Sequence, residues 1–140
     1  MLEPSPKGLH HIEIYVSDLE RSRKFWSWLL DKLGYQLFQE WDAGFSMELG
    51  TSYVVFVQRE DRYSDITYHR CGTGLNHLAF WADSRNAVDA LTQDLRDREV
   101  PILYEERHPF AGGPNYYAVF FEDPDRIKVE VVAPHPSEEA

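Results

Sequence analysis

Near its start the chain carries Gly8-Leu9-His10-His11-Ile12-Glu13-Ile14-Tyr15-Val16, and it repeats the pattern later as Gly74-Leu75-Asn76-His77-Leu78-Ala79-Phe80-Trp81-Ala82. Each copy opens with Gly-Leu-x-His and continues as an apolar stretch. A repeat of this length within 140 residues indicates one supersecondary unit that is used twice. The repeat therefore predicts that His11 and His77 occupy equivalent places in the fold.

The residues around the first copy predict one helix and four strands. Residues 9–16 alternate in polarity and are rich in β-branched side chains, which favours a strand. Apolar residues then recur at helical spacing from Leu19 to Leu33, just before Gly34, which can end a helix. Three more strands are predicted over residues 35–41, 44–49 and 52–58, separated by short turn sequences. The first unit, residues 8–59, is therefore predicted to be β-α-β-β-β.

The second half repeats this order. A strand is predicted over residues 75–82, and a helix with one apolar face follows Asp83 and Ser84. Strands are predicted over residues 102–107, 116–121 and 127–132. We therefore expect an α+β fold made of two tandem βαβββ units, residues 8–59 and 74–133, with a linker over 60–73 and a polar tail over 134–140.

Composition and charge narrow the class of partner. The formal net charge is −10, which opposes binding to nucleic acid or to an anionic membrane surface. Cys71 is the single cysteine, so no disulfide can form within the chain. The first residues lack the pattern of a signal peptide, and no apolar run reaches the roughly 20 residues that span a bilayer. We therefore expect a cytoplasmic protein that binds a small molecule.

Three side chains in this pattern predict a metal site. Because side chains alternate along a strand, His11, Glu13 and Tyr15 share one face of the first strand, and His77 and Trp81 share the matching face of its repeat. Glu130 lies within the last apolar strand, where an unpaired carboxylate is costly to bury. Two imidazoles and one carboxylate can hold a divalent ion and leave coordination positions open.

The paired units, the Gly-Leu-x-His openings and the segment Asp123-Pro124-Asp125-Arg126-Ile127-Lys128-Val129-Glu130 resemble the vicinal oxygen chelate superfamily. That superfamily includes glyoxalase I, fosfomycin-resistance enzymes, extradiol dioxygenases and bleomycin-binding proteins. The resemblance implies a curved mixed β-sheet around a cavity, and a homodimer. It also implies one divalent ion (manganese, nickel, zinc or iron(II)) that is held by His11, His77 and Glu130 and binds two neighbouring oxygens of the substrate.

The chain departs from two members of that family. The glyoxalase I pattern places a fourth, carboxylate ligand on the last strand of the first unit, where this chain has Phe56 or Val55. The fosfomycin-enzyme pattern has a tyrosine ten residues before the glutamate, where this chain has Phe120, and an arginine beyond the glutamate that residues 131–140 lack. We therefore expect neither lactoylglutathione lyase activity nor fosfomycin as the substrate.

Further site residues are predicted around this ion. Glu13 is either a general acid or base beside the substrate or a partner that orients a ligand, and Glu130 is a second candidate for moving a proton. A glycine-containing loop over residues 107–117 supplies His108 and Tyr117 as candidate acid or base and substrate contact. The remaining predicted substrate contacts are Tyr15, Phe56 and Trp81.

Three functions are consistent with these residues. The leading hypothesis is a metal-dependent lyase or isomerase of the glyoxalase type. The same three ligands with iron(II) also fit an extradiol dioxygenase that uses His108 as its base. A non-catalytic binding or resistance protein is the third, and because such relatives usually lack the three ligands, the sequence favours an enzyme.

Overall fold

The computed structural model describes residues 5–136, and the chain divides into two compact units between Thr67 and Tyr68. Each unit has one α-helix packed on its own four-stranded mixed sheet, and unit 1 also has a short 3-10 helix at Asp61–Tyr63. The predicted α+β fold with two tandem βαβββ units is therefore confirmed. Within the described residues, no helix has the length and apolar character needed to cross a membrane.

Unit 1 contains β1 (His11–Val16), α1 (Leu19–Lys32), β2 (Gln36–Trp41), β3 (Gly44–Leu49) and β4 (Ser52–Gln58). The strand order is β1-β4-β3-β2, with β1 parallel to β4 and the other pairs antiparallel. Helix α1 begins where the Asp18 carboxylate accepts a hydrogen bond from the Arg21 backbone N–H at 3.2 Å. It packs Trp26 onto the sheet, where the indole stacks on Phe56 with ring centroids 4.8 Å apart.

Unit 2 contains β5 (His77–Trp81), α2 (Arg85–Asp97), β6 (Ile102–Leu103), β7 (Ala118–Glu122) and β8 (Lys128–Val132). The order β5-β8-β7-β6 repeats that of unit 1, and β5 is parallel to β8. Helix α2 is capped by Ser84, whose hydroxyl accepts from the Ala87 backbone N–H at 3.1 Å. Its buried apolar side chains are Val88, Leu91 and Leu95.

One predicted strand is much shorter than expected. The segment 102–107 forms a strand only at Ile102 and Leu103, because Tyr104 adopts φ = +56° and leaves the extended conformation. The Tyr104 carbonyl then accepts hydrogen bonds from the backbone N–H groups of Arg107 and His108, each at 2.9 Å. Residues 104–117 therefore form a loop, and Tyr116 and Tyr117 precede β7 instead of belonging to it.

In each unit the sheet has a helix-covered face and an opposite face, which we call the open face. In β1 the side chains of Ile14 and Val16 are buried toward the helix, whereas His11, Glu13 and Tyr15 are exposed on the open face. The registers extend these faces across each sheet, because cross-strand partners point the same way. The open face of unit 2 carries His77, Ala79, Trp81, Phe120 and Glu130.

Candidate metal centre

Two of the predicted ligands lie together on the open face of unit 2. Glu130 is only 3% exposed, and its direct cross-strand partners are Ala79 in β5 and Phe120 in β7. The methyl group of Ala79 leaves space beside the carboxylate. Glu130 Oε1 lies 3.2 Å from His77 Nε2, so the strand pairing brings the imidazole and the buried acid into direct contact.

The hydrogen bonding of His77 suits a cation at this point. Its Nδ1 lies 2.7 Å from the Asn76 side-chain oxygen, which can only accept, so Nδ1 carries the proton and donates. In the neutral imidazole Nε2 then presents a lone pair toward the Glu130 carboxylate. Two electron-pair donors that face each other are stabilised by a positive charge, and nitrogen and carboxylate oxygen are both ligands of divalent transition metals. The pair therefore fits half of a metal site.

Tyr116 is the second partner of Glu130, and the sequence did not single it out. Its hydroxyl donates a hydrogen bond to Glu130 Oε2. Partial burial, together with this bond, raises the pKa of Tyr116 to about 12. A side chain at Gly112 would overlap the Tyr116 ring, so the glycine allows the ring to lie where it does. The only sequence signal was the tandem Tyr116-Tyr117 after a Gly-Gly pair, which could not show which tyrosine turns toward Glu130.

A cavity of about 380 Å³ in unit 2 lies against two neighbours of Glu130, its cross-strand partner Ala79 and its hydrogen-bond partner Tyr116. Its lining includes Ala79, Trp81, Asn115 and Tyr116. Trp81 is 70% exposed, so its indole is accessible to a ligand. The cavity therefore puts an aromatic wall next to the side chains that surround Glu130.

His11 occupies the equivalent position in unit 1, on β1. Its ring stacks on Tyr53 of β4, with centroids 4.7 Å apart and planes 2° apart. Its Nδ1 lies 2.8 Å from Nδ1 of His10, so one nitrogen donates to the other and His11 Nε2 is free of that bond. Glu13 and Tyr15 follow on the same open face, and within residues 5–136 the Glu13 carboxylate makes no hydrogen bond or ion pair.

The register of β4 resolves the two alignments that the sequence left open. Val55 pairs with Glu13 as Glu130 pairs with Ala79, so Val55 is the unit 1 counterpart of Glu130. Phe56 is fully buried on the helix side and stacks on Trp26 and on Phe45. The structure therefore puts Phe56 in the core of unit 1 and not on the open face, where it was expected to contact a substrate.

The structure places His108 and Tyr117 beside helix α2. The Tyr117 hydroxyl donates to Asp89 Oδ1 at 2.5 Å, and this bond, with partial burial, raises the pKa of Tyr117. Burial and the nearby Arg96 lower the pKa of His108, while Glu105 and Asp89 raise it in part. Among the described residues, neither His108 nor Tyr117 makes a hydrogen bond or ion pair with His77 or Glu130. Their predicted roles in catalysis or substrate binding remain predictions.

The predicted ligand set is divided between the units, with His11 in unit 1 and His77 with Glu130 in unit 2. Across residues 5–136, no group of three or more His, Cys, Asp or Glu side chains is gathered closely enough to hold an ion. Unit 2 thus brings two of the three predicted ligands, His77 and Glu130, into contact.

Comparison with known proteins identifies the relatives of this chain. The sequence profile of the family described as Glyoxalase/Bleomycin resistance protein/Dioxygenase superfamily matches residues 8–131. YqjT of Bacillus subtilis (strain 168), described as uncharacterized, is 55% identical over 126 residues, which cover 90% of this chain and 98% of that protein. YwkD of the same organism, also described as uncharacterized, is 30% identical over 131 residues, covering 89% and 95%.

Solved structures of other proteins have the same fold as this chain. The crystal structure of a Bacillus halodurans protein, provisionally described as a glyoxalase, superposes with a TM-score of 0.89 at 63% identity, covering 90% of this chain and 95% of that one. A fosfomycin resistance protein from Listeria monocytogenes superposes with a TM-score of 0.65 at 21% identity, covering 96% and 99%. Because the identity to the Listeria monocytogenes protein is only 21%, this similarity shows a shared fold and nothing more.

Proposed function

The chain belongs to the Glyoxalase/Bleomycin resistance protein/Dioxygenase superfamily, and on this premise we propose that it is a divalent-metal-dependent enzyme of the lyase or isomerase type. Proteins of this superfamily typically bind a divalent metal ion and a small-molecule substrate, and they often dimerise. The substrate proposed here is a small molecule that binds the ion through two adjacent oxygen atoms.

The observation that carries the proposal is the contact between His77 and Glu130. A carboxylate that is 3% exposed and lies between Ala79 and Phe120 needs a positive charge or several hydrogen bonds to offset its desolvation. It has one hydrogen bond from Tyr116 and one imidazole nitrogen at 3.2 Å. A divalent ion bound to His77 and Glu130 would supply the missing positive charge.

The proposed site residues have distinct roles. His11, His77 and Glu130 would hold the ion, whose chemistry is to polarise a substrate oxygen as a Lewis acid. A carboxylate beside it, Glu13 or Glu130, would take up and return the substrate proton. Tyr116 would fix the orientation of Glu130 through its hydroxyl. Trp81 and Tyr15, on the open faces of their units, would contact the rest of the substrate.

The proposal allows two ways for His11 to belong to one site with His77 and Glu130. His11 could join them within one chain, or it could come from a second copy of the chain in a homodimer. Mixing chains that carry His11→Ala with chains that carry Glu130→Ala separates the two cases. Only a site shared between copies regains metal binding in the mixture. Each mixed dimer then has two sites, and one of them carries neither substitution.

The first test is metal content. Wild-type protein incubated in turn with manganese, nickel, zinc and iron(II), then desalted, should retain about one divalent ion per chain by elemental analysis. His77→Ala and Glu130→Ala should lose it, and so should His11→Ala. His69→Ala is the matched control, since His69 lies outside both sheets and accepts a hydrogen bond from the Cys71 backbone N–H.

The outcomes separate the three functions. Wild type that retains none of the four ions contradicts the enzyme proposal, and ligand binding that survives chelation would then favour a binding or resistance protein. Retention of iron(II), with oxygen uptake on a catechol, would favour a dioxygenase. Retention without oxygen uptake, with proton exchange or isomerisation of an adjacent-oxygen substrate, supports the lyase or isomerase.

A further inference from the structure

A lysine lies on the open face of unit 2, next to the contact between His77 and Glu130. Lys128 is the direct cross-strand partner of His77 and precedes Glu130 by two residues on β8. Side chains two residues apart on a strand share a face and are roughly 7 Å apart at the backbone. Lys128 therefore puts a positive charge beside the place where the substrate is proposed to bind.

Two aromatic side chains hold the Lys128 ammonium. Its Nζ donates a hydrogen bond to the Tyr104 hydroxyl at 2.9 Å and lies 5.3 Å from the centroid of the Phe120 ring. The Tyr104 ring in turn packs edge to face on Phe120, with centroids 5.5 Å apart. These contacts fix the position of the ammonium, but they bring no full negative charge to it.

No carboxylate is paired with this ammonium among the described residues. Glu122 is the cross-strand partner of Lys128 in β7, but its Oε2 is bound by Arg70 at 2.9 Å and by Arg126 at 3.0 Å. The nearest acid in the sheet is thus already neutralised by two guanidinium groups. A partly buried cation that lacks a counter-charge favours an anion as its ligand.

The backbone of Tyr104 supports a binding role for the pair. Its φ of +56° is uncommon and unfavourable for a residue with a large side chain. Residues in such conformations persist where surrounding contacts hold them, and they cluster at ligand sites. Here the strained residue is the one whose hydroxyl meets the Lys128 ammonium.

We propose that Lys128 and Tyr104 together bind a carboxylate group of the substrate, at the end away from the two adjacent oxygens that contact the ion. The inference rests on the proposed function for the ion-bound end of the substrate. Phe120 is the cross-strand partner of Glu130 and lies beside Lys128, so its ring would contact the carbon atoms between the two ends.

The donors of the pair suit a carboxylate. The Lys128 ammonium has three N–H donors, of which Tyr104 accepts one, and the Tyr104 hydroxyl can donate its own proton. Nζ and the hydroxyl oxygen, 2.9 Å apart, can each donate to one oxygen of the same carboxylate. One ammonium balances the single charge of a carboxylate, whereas a doubly charged phosphate would keep one charge uncompensated.

The test compares two small acids as probes. Both α-ketoglutarate and α-ketovalerate have two adjacent oxygens at one end, but only α-ketoglutarate has a carboxylate at the other. Calorimetry on zinc-loaded wild type should show that α-ketoglutarate binds about tenfold more tightly, the effect of one hydrogen-bonded contact between charged groups. Lys128→Met should abolish this preference through weaker binding of α-ketoglutarate alone, and Tyr104→Phe should reduce it by a smaller factor, about threefold.

Lys32→Met is the matched control. The Lys32 ammonium also lies over an aromatic ring, that of Trp28 at 5.5 Å, but it is on α1 in unit 1. This variant should keep the wild-type preference for α-ketoglutarate. Circular dichroism checks that Lys128→Met folds; if it does not, the result for Tyr104→Phe decides.

A second measurement, on metal-free protein, separates this inference from the proposed function. Acetate should shift the NMR signal of the Lys128 Cε group, identified by its absence from Lys128→Met, and should leave the Lys32 signal in place. If zinc-loaded wild type binds the two acids equally or not at all, or if Lys128→Met keeps the preference, the inference is overturned and the proposed function stands. A wild type that holds no zinc contradicts the proposed function; a shift of Lys128 by acetate then supports the anion site, and no shift overturns it.

Discussion

Units 1 and 2 share one plan of strands, yet they differ in the size of the side chains at several matched positions. On the helix side, unit 1 stacks Trp26, Phe56 and Phe45. The matching positions in unit 2 hold the smaller Thr92, Val131 and Val119, all buried. At one position of the open face the order is reversed, since Ser46 in unit 1 corresponds to Phe120 in unit 2.

The connection between the middle strands also differs. In unit 1, β2 and β3 are joined by Asp42 and Ala43 alone, whereas in unit 2 residues 104–117 lie between β6 and β7. This loop brings Tyr116 to Glu130. The two units therefore differ in what they add to the shared plan. Unit 1 has stacked aromatic rings in its core, and unit 2 has a buried acid, Glu130, that is contacted by Tyr116 from the long loop.

The largest difference should appear in the cores. Trp26→Ala should lower the free energy of unfolding of unit 1 by about 3–5 kcal/mol, because it removes a fully buried indole and leaves a cavity against Phe56. Thr92→Ala, at the matching position of α2, should cost about 1 kcal/mol, mainly through its hydrogen bond to the Val88 carbonyl. Urea unfolding measures both, and equal losses would contradict the contrast between the cores.

The repeat made most of this fold predictable. Because the two Gly-Leu-x-His copies indicate equivalent units, the element order of one half supported the prediction for the other, and the structure has that order in both. The ends of strands such as Gly44–Leu49 and Ser52–Gln58 agree with the predicted ranges. Local pattern was sufficient where alternation and turn residues pointed the same way.

Two features depended on information that the sequence pattern does not hold. The choice between Val55 and Phe56 is a one-residue difference in register, which moves a side chain to the other face of a strand, and only the pairing of β1 with β4 decides it. Similarly, Tyr104 leaves the extended conformation and begins a loop where the apolar pattern predicted a strand. The contact of Tyr116 with Glu130 depends on that loop.

Gly44 and Gly112 each lie close to another part of the chain. The neighbour is strand backbone at Gly44 and a side chain that can move at Gly112. In Gly44→Ala the added Cβ would lie 2.5 Å from the Phe56 carbonyl oxygen, so the strand backbone itself must shift. In Gly112→Ala it would overlap the ring of Tyr116, which is 40% exposed and can rotate away. We expect losses in unfolding free energy of about 2–3 and about 1 kcal/mol respectively, measured in urea.

A double variant provides the control for Gly112. Combining Gly112→Ala with Tyr116→Ala removes the obstacle, so the pair should be less destabilised than the sum of its single changes. If Gly112→Ala is as costly as Gly44→Ala, Tyr116 is held as firmly as the backbone of β4. The loop over residues 104–117 would then be as rigid around Tyr116 as the sheets are.

The smallest effect concerns His108, in the loop that unit 1 lacks. Burial and Arg96 lower the pKa of His108 in the folded state below its unfolded value, despite opposing effects of Glu105 and Asp89. The unfolded chain then binds more protons near that pKa, so this group makes stability fall as the pH drops through about 6.5. His108→Gln should therefore lose less stability than wild type between pH 8 and pH 5.5 in urea titrations, and Glu105→Gln should lose more. Identical pH profiles in all three proteins would show that the loop leaves His108 as free as in the unfolded chain.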